Sequence, residues 1–375
     1  MFARKALSSV VVAAAALLAP MVALATNPNP SGDLISANSF ERPVSSGGSG
    51  GSNYHWFDLG SGCNFEPYGL IANYHLNIAG GGSVRARAQQ QLASMRSAGM
   101  QRLSLGIFFA HANSSGTLID SSNPTAVAQA VQNIQNLIAD AKAAGFIEVL
   151  FRFFPTSTIN PSQPNFDSNL VNEYWNLIVA VRPALVNAGI AYRIDLMAEG
   201  APRDSNPPLP EPWKYPDNPD WSRAVRALWQ NYFAAYGKAD TVGFSFLADN
   251  DVNKMRYRVR HMRYVYEGNY PYLYAADIYD LGGLNEADKF ISMNNAMFLE
   301  DPSGSLGWRD SGWILSEAYY DDPLAAANFA SARASTRRKV FYLTQWPLDR
   351  ANTACSADVN VAPPYLWLVY RGYGY

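Results

Sequence analysis

The stretch AVAQAVQNIQNLIADAKAAGFIEVLFRFF, residues 126–154, contains the unit whose repetition predicts the fold. Residues 126–144 place apolar side chains at helical spacing, and Gly145 then marks the end of the helix. Residues 147–154 are a short apolar run rich in branched and aromatic side chains, which is typical of a buried strand. A helix that leads directly into a buried strand indicates a crossover connection in a parallel sheet.

The same alternation of helix and strand continues through the chain. We predict strands at residues 102–109, 147–154, 192–199, 241–248, 272–279, 313–317 and 340–346. A further strand, the first, is expected within residues 54–76. Eight such units predict an α/β protein with a single-domain (β/α)8 TIM barrel, and an open doubly wound sheet is the alternative.

The beginning of the chain predicts export from the cytoplasm. Arg4 and Lys5 precede an apolar run at residues 10–24, and Ala23 and Ala25 provide small residues for cleavage, so residues 1–25 read as a signal peptide. A membrane anchor is the alternative, but Pro20 interrupts a run that is already short for a span. We therefore expect a secreted or periplasmic protein without stable membrane insertion. Residues 26–53 have the composition of a flexible linker, and residues 54–375 would form the catalytic barrel.

Charge and cysteine content narrow the function classes. The formal net charge is −2, which gives no general reason to bind nucleic acid. The two cysteines, Cys63 and Cys355, are expected to form a disulfide bond in an oxidising compartment. Two separate buried thiols are the alternative. The chain is long enough for one well-filled barrel, and we expect a monomer.

Two glutamates end predicted strands and are the main candidates for chemistry. Glu199 follows the run Ala-Tyr-Arg-Ile-Asp-Leu-Met-Ala, and Glu317 follows Trp-Ile-Leu-Ser. The carboxyl ends of barrel strands share one rim, where such barrels carry their active sites. A salt bridge with Arg152 or Arg203 could explain one such glutamate. Two at matched depth favour catalysis, because a pair of carboxylates can cleave a glycosidic bond.

The positions of these glutamates resemble the large clan of retaining glycosidases built on this barrel, which includes cellulases and mannanases. That clan has its acid/base Glu at the end of strand four and its nucleophile at the end of strand seven, where our count places Glu199 and Glu317. The segment ending in Glu199-Gly-Ala-Pro202 is similar to the clan's Asn-Glu-Pro, and Ser316-Glu317 to its Thr-Glu. The motifs are short, and they assign no family within the clan.

The resemblance implies further substrate contacts. Asp277-Ile-Tyr279 is similar to the clan's His-x-Tyr, whose Tyr contacts the nucleophile. Trp346 ends strand eight, where the clan has a Trp that floors a sugar subsite. One departure concerns the residue before the acid/base, which is Ala198 here and Asn in the clan. That Asn binds the sugar 2-hydroxyl, so the change bears on the identity of the sugar.

Other candidate contacts come from the residues themselves. Arg152 is expected to point into the barrel, where it could bridge carboxylates or form a structural ion pair. His111 and Asn113 follow strand two and could reach sugar hydroxyls, although a simple loop role is the alternative. Trp213 in the Pro-rich loop and Tyr319 after Glu317 could stack on sugar rings in outer subsites, or simply pack their loops. These candidates complete the predicted substrate site.

The pattern of histidines and cysteines gives no metal-ligand spacing, and we expect neither a metal nor a cofactor. Residues 254–263 form a basic helix whose apolar stripe should pack on the barrel while its cations face outward. Such a face is usually solvated, and contact with an acidic polysaccharide or an anionic membrane surface is the sharper alternative.

The function predicted from the sequence is that of a glycoside hydrolase that degrades a polysaccharide or oligosaccharide. Glu199 would be the acid/base and Glu317 the nucleophile of a retaining double displacement. One alternative is a barrel that binds polysaccharide without cleaving it. Another is a chitinase-like barrel, whose mechanism needs a carboxylate two residues before the acid, where this chain has Met197.

Overall fold

The structure is a computed structural model that describes residues 50–54, 57–58, 65–66, 69–78, 81–113, 118–202, 219–278, 286–303, 312–318, 331–332, 336 and 340–345. Its strands are β1 (Gly51–Asn53), β2 (Phe57–Asp58), β3 (Phe65–Glu66), β4 (Arg102–Ala110), β5 (Ile119–Asp120), β6 (Glu148–Pro155), β7 (Ala191–Asp195), β8 (Thr241–Gly243), β9 (Phe246–Leu247), β10 (Leu273–Asp277), β11 (Gly312–Ala318) and β12 (Val340–Gln345). Its helices are α1 (Gly69–Asn73), α2 (Val84–Ser97), α3 (Pro124–Ala144), α4 (Val171–Val186), α5 (Pro219–Tyr236), α6 (Val252–Tyr266) and α7 (Glu286–Glu300).

The main sheet is a ring of parallel strands. Its order is β8-β7-β6-β4-β1-β12-β11-β10-β9, and every neighbouring pair runs parallel. The two ends of this order, β8 and β9, are consecutive pieces of one strand, separated only by residues 244–245. The fifth barrel strand therefore closes the ring, and the predicted (β/α)8 barrel is confirmed.

The first barrel strand lies earlier than predicted. It is β1 at Gly51–Asn53, inside the tract expected to be linker, whereas residues 54–76 contribute the antiparallel β2–β3 pair and α1. Gly51 is required there because a Cβ at this position would lie 1.6 Å from the carbonyl oxygen of Arg102. A polar, glycine-containing strand carries no hydrophobic pattern, so composition assigned it to the linker.

Two layers of apolar side chains pack on the two faces of the ring. The interior layer contains Leu150, Val242, Leu273, Ala275, Ile314 and Tyr342. The larger layer packs the outward strand side chains against the helices, as Trp313 does against Phe290 of α7. Strand residues thus alternate between the barrel interior and the helical shell, and this alternation decides which polar groups reach the barrel axis.

The predicted basic helix at residues 254–263 lies within α6, but its cations are largely engaged within the protein. Asp251 caps the helix by accepting a hydrogen bond from Asn253 N at 2.8 Å. Arg256 and Arg260 each donate from Nε to the carboxylate of Glu300 at 2.7 Å. Arg258 is buried and donates to a backbone carbonyl. The expectation that this helix displays its cations to solvent is therefore wrong for Arg258 and only partly right for the others.

Among the residues that the structure describes, no helix has the length and apolarity needed to cross a membrane. The predicted signal peptide (residues 1–25) and both cysteines, Cys63 and Cys355, lie outside the described residues.

Candidate active site

Arg152 is the centre of a buried ion cluster inside the barrel. It lies on β6, the third barrel strand, and its side chain has no solvent exposure. Its Nε donates to Asp195 Oδ2 at 3.0 Å, its Nη2 to Asp277 Oδ2 at 2.5 Å and its Nη1 to Glu317 Oε1 at 2.6 Å. One guanidinium therefore binds three acidic side chains from three different strands. This is the bridging role predicted for Arg152.

Sheet register explains how these side chains meet. Arg152 pairs directly with Asp195 across β6 and β7, and Asp277 pairs with Glu317 across β10 and β11. Cross-strand neighbours in a parallel sheet point to the same face, which here is the barrel interior. The cluster thus follows from the register of four strands. Its polar side chains lie nearer the carboxyl ends of these strands than the apolar side chains of the interior layer do.

A β-bulge delivers Glu317 to the interior. In β11 Ile314 faces the barrel interior while Trp313 and Leu315 face the helices, so strict alternation would send Glu317 outward as well. The register shifts by one residue between the pairs Ala276–Leu315 and Asp277–Glu317, which leaves Ser316 as the extra residue. Bulges commonly re-aim a side chain next to an active site, and this one turns Glu317 towards Arg152.

The extra residue of the bulge also contacts the cluster. Ser316 Oγ lies 2.6 Å from Asp277 Oδ1, and the backbone oxygen of Ser316 accepts a hydrogen bond from Thr344 Oγ1 at 2.7 Å. Neighbouring strands therefore hold the bulge on both sides. Its geometry is fixed by hydrogen bonds and not only by packing.

Glu199 lies beyond its strand and not at its end. The strand β7 stops at Asp195, and Glu199 sits in the following turn with φ +50°. The strand predicted at residues 192–199 therefore ends four residues earlier than expected. A non-glycine residue in the left-handed region is uncommon, and such strain concentrates at functional sites. Glu199 is also partly exposed, unlike the acids that bind Arg152.

Ser245 connects the turn that carries Glu199 to the ion cluster. Its Oγ accepts a hydrogen bond from Glu199 N at 2.8 Å and another from Arg152 Nη2 at 3.1 Å. Its backbone N donates to Asp195 Oδ1 at 3.0 Å. Ser245 lies in the break between β8 and β9, so the interruption of the fifth strand provides the link. Glu199 and Glu317 are therefore attached to the same guanidinium, one through Ser245 and the other directly.

The charges of the cluster alter its acid–base properties. Burial would lower the pKa of Arg152, but Asp277, Glu317 and Asp195 outweigh it and hold that pKa well above its ordinary value. Burial raises the pKa of the Asp277 carboxyl well above its ordinary value. Arg152 opposes this rise, whereas the negative charges of Glu317 and Glu199 add to it.

The remaining predicted contacts differ in position. Arg152 and Asp277 are fully buried, so we interpret them as groups that support Glu317 and not as groups that touch sugar. His111, at the end of β4, is 38% exposed, and its Nδ1 lies 2.8 Å from Glu173 Oε2. Asn113 donates from Nδ2 to the carbonyl oxygen of Leu118 at 3.2 Å, as expected for a loop role. The predicted contacts Tyr279, Trp346, Trp213 and Tyr319 lie outside the described residues.

Several members of the site were not among the residues selected from the sequence. Asp195 could have been found, because a carboxylate inside a buried strand needs a cationic partner. Ser245 and Glu173 carried no such signal, since their roles depend on a strand break and a helix start. Ser316 was noted only as the neighbour of Glu317, because its own contact depends on the bulge. Within the described part of the chain, no group of three or more His, Cys, Asp or Glu side chains is arranged to hold a metal ion.

Comparison of the chain with protein-family models and with curated proteins gave no match. Among solved structures, it is similar to a hyperthermostable endocellulase at 14% identity, with 87% of this chain and 91% of that chain covered and a TM-score of 0.50. It is also similar to an endo-β-mannanase/endo-β-glucanase from Prevotella bryantii (10% identity, 76% and 44% covered, TM-score 0.46). A modular endo-β-1,4-mannanase from Cellulomonas fimi is a further match (11% identity, 73% and 62% covered, TM-score 0.44).

The resemblance is one of fold. The endocellulase match agrees with the barrel architecture, and it assigns no family. The chain spans 44% and 62% of the lengths of the Prevotella and Cellulomonas proteins. Because one barrel fold hosts many unrelated reactions, the chemistry has to be argued from the side chains of the site.

Proposed function

We propose that this protein is a secreted retaining glycoside hydrolase, with Glu317 as nucleophile and Glu199 as acid/base. One observation carries the proposal: Arg152 binds Glu317 directly and reaches the turn of Glu199 through Ser245. Two glutamates from distant parts of the chain thereby approach one point of the barrel. For retention, their carboxyl groups should be about 5 Å apart.

In the first step Glu317 attacks the anomeric carbon of the sugar. Arg152 binds Oε1 of Glu317 and thereby orients the carboxylate for this attack. As the new carbon–oxygen bond forms, the glycosidic bond breaks, and protonated Glu199 gives its proton to the departing oxygen. Arg152 keeps Glu317 anionic and fixed in place before the attack, which is the electrostatic preparation that such a step needs.

In the second step a water molecule releases the sugar. Glu199, now a carboxylate, takes a proton from this water while the water oxygen bonds to the anomeric carbon and the bond to Glu317 breaks. Both residues return to their starting states, and the anomeric configuration is retained. The partial exposure of Glu199 fits a group that exchanges protons with water and a leaving group.

Two other functions are alternatives to this proposal. A barrel that binds polysaccharide without cleaving it has support from Ala198, which stands where the clan has a sugar-binding Asn, and from Glu317, whose side chain is only 5% exposed. A chitinase-like reaction has less support. The position that should carry its second carboxylate is Met197, which is buried in the hydrophobic core outside the barrel.

The decisive experiment combines Glu317→Ala with azide. Wild type should release reducing ends from at least one member of a panel of neutral and acidic polysaccharides, and Glu317→Ala should lose this activity by about 10⁴-fold or more. Azide can occupy the space left by the missing carboxylate, so it should restore turnover on an activated aryl glycoside and give a glycosyl azide of inverted configuration.

A matched control separates loss of catalysis from loss of structure. Glu267→Gln changes another glutamate, which ends α6, is 45% exposed and pairs with Arg226, and it should leave turnover unaffected. Ligand retention by wild type without any release of reducing ends would support the binding barrel instead. Normal activity of Glu317→Ala would exclude this residue as the nucleophile.

The proposal extends to further features, most of which lie outside the residues that the structure describes. Tyr279, Trp346, Trp213 and Tyr319 are proposed to contact sugar, and His111 is proposed to reach a hydroxyl from the rim of β4. Removal of residues 1–25 and a Cys63–Cys355 disulfide are also proposed. Mass spectrometry of the exported protein, before and after reduction and alkylation, tests both.

A further inference from the structure

The ion cluster contains more negative than positive groups. Arg152 provides one positive charge, whereas Asp195, Asp277 and Glu317 would provide three negative charges if all were ionised. Their side chains are at most 5% exposed, so water cannot screen the excess. Like charges held at this distance in a dry site do not all remain ionised, and one of the acids must hold a proton.

We propose that Asp277 is a positioning residue that is neutral when the protein functions, with the proton on Oδ1. In this state Oδ1 donates to Ser316 Oγ, and Oδ2 accepts from Arg152. The inference rests on the proposed function for its catalytic consequence, because the neutral Asp277 leaves the positive charge of Arg152 to Asp195 and Glu317. The nucleophile then stays anionic and fixed.

Hydrogen-bond partners indicate which acid carries the proton. Asp195 Oδ1 accepts from the backbone N of Ser245 and of Met197, and its Oδ2 accepts from Arg152. Each of these partners is an N–H group that cannot accept a proton in return. Protonating Asp195 would therefore break a hydrogen bond.

The contacts of Asp277 differ at one oxygen. Its Oδ2 accepts from Arg152, but its Oδ1 lies 2.6 Å from a hydroxyl, Ser316 Oγ. A hydroxyl can accept as well as donate, so the direction of this bond can reverse without any loss of contact. The charged groups described around Asp277 are Arg152 from β6, Asp195 and Glu199 from β7 and its turn, and Glu317 from β11. Three of these four are acidic, which again favours the neutral form.

Asp277→Asn reproduces the proposed state. An asparagine can accept from Arg152 through its oxygen and donate to Ser316 through its amide nitrogen, which is the pattern of a neutral aspartic acid. An ionised aspartate would instead accept both bonds. Asp195→Asn is the matched control. The partners of Asp195 are N–H donors, so the amide NH2 of an asparagine at this position would face another donor and could not form a hydrogen bond with it.

The first test measures urea unfolding of wild type and Asp277→Asn over a range of pH. A folded-state pKa above the unfolded value means that the native wild type binds the extra proton, so its stability falls as pH rises between the two values. The unfolding constant of wild type should therefore rise relative to Asp277→Asn by up to about tenfold for each pH unit in this window. The unfolding constant of wild type should show no such rise with pH relative to that of Asp195→Asn.

The second test uses the pH dependence of kcat/KM, a readout that a purely structural role would not move. The acid limb of the profile reports ionisation of Glu317. If Asp277 is neutral in the wild type, this limb keeps its position in Asp277→Asn. If Asp277 is ionised, removal of its negative charge moves the limb to lower pH.

The outcomes are separable. Parallel stability curves for wild type and Asp277→Asn, failure of Asp277→Asn to fold, or a shifted acid limb would each overturn the neutral Asp277. Absence of glycosidase activity on every substrate would remove the proposed function, while the unfolding measurements would still decide the protonation state.

Discussion

Arg152 Nη1 lies 2.6 Å from Glu317 Oε1, although 165 residues separate the two in the chain. The contact joins the third and seventh barrel strands, and the same guanidinium also binds Asp195 and Asp277. The position of the proposed nucleophile therefore depends on a residue from the opposite part of the ring.

Arg152→Met should destabilise the protein strongly. It leaves three buried acids without their cation, and breaking a buried ion pair from one side costs about 3–5 kcal/mol. The deficit should shrink as pH falls, because the acids can then become neutral. Chemical denaturation at several pH values measures this. Arg226→Met, which removes the partly exposed pair with Glu267, should cost about 1 kcal/mol or less. Equal losses in the two variants would contradict the central role of Arg152.

Glu199→Gly should be more stable than Glu199→Ala, although both should lack activity. Glu199 has φ +50°, a conformation that glycine adopts freely and that costs a residue with a Cβ about 1 kcal/mol. The comparison is between two variants that both lack the carboxylate, so it isolates the backbone. Denaturation midpoints with equal m-values give the difference. Equal stability would mean that the turn imposes no strain.

Ser245→Ala should lower activity strongly, although the substitution removes only one hydroxyl group. The variant removes the acceptor for Glu199 N and for Arg152 Nη2, so the acid/base turn loses its attachment to the cluster. We expect kcat to fall about tenfold or more, with a loss of about 1–3 kcal/mol in stability for the unsatisfied donors. Ser97→Ala is the control, since its hydroxyl bonds an exposed helix carbonyl. An unchanged kcat in Ser245→Ala would argue against this link.

Asp140→Asn should flatten the loss of stability in acid. Asp140 of α3 accepts from Arg85, Gln89 and Tyr74, which ties the helices around α2 together. Burial raises the pKa of Asp140, but these hydrogen bonds outweigh it and the pKa is lowered.

Because the pKa of Asp140 is lowered in the folded state, its hydrogen bonds stabilise the fold at pH values above the ordinary carboxyl pKa. This stabilisation disappears as the pH falls through the folded-state pKa. The variant lacks this contribution. Its stability should therefore be lower near neutral pH and should converge with that of wild type in acid, which thermal denaturation from pH 7 downward measures. A constant difference at all pH values would contradict this assignment.

The sequence predicted the barrel because the spacing of apolar residues within each helix and strand is enough to identify that element. The helix end at Gly145 followed from the conformational preference of glycine alone. Arg152 was expected inside the barrel because a cation within a run of phenylalanines has few other ways to be satisfied. These features depend on neighbours close in sequence, which is why they could be inferred.

Other features depend on contacts that the sequence does not encode locally. β1 is a strand because β4 and β12 pair with it on both sides, and its own residues carry no strand pattern. The sequence placed Glu199 on a strand because the apolar run continues past Asp195. In the structure the strand stops at Asp195, and the apolar residues that follow pack in the layer outside the barrel. Glu317 was assigned to the rim because it ends a predicted strand, whereas strict alternation from Trp313 and Leu315 would point its side chain outward.

The one-residue bulge at Ser316 has a consequence for how such sites can arise and be lost. If Ser316 paired with Asp277 in a regular ladder, Glu317 would face the helical shell, with no change in its own identity or in the length of the strand. Substitutions at Ser316 or Thr344, whose hydrogen bonds hold the bulge, would then separate barrels that present this carboxylate to the interior from barrels that hide it.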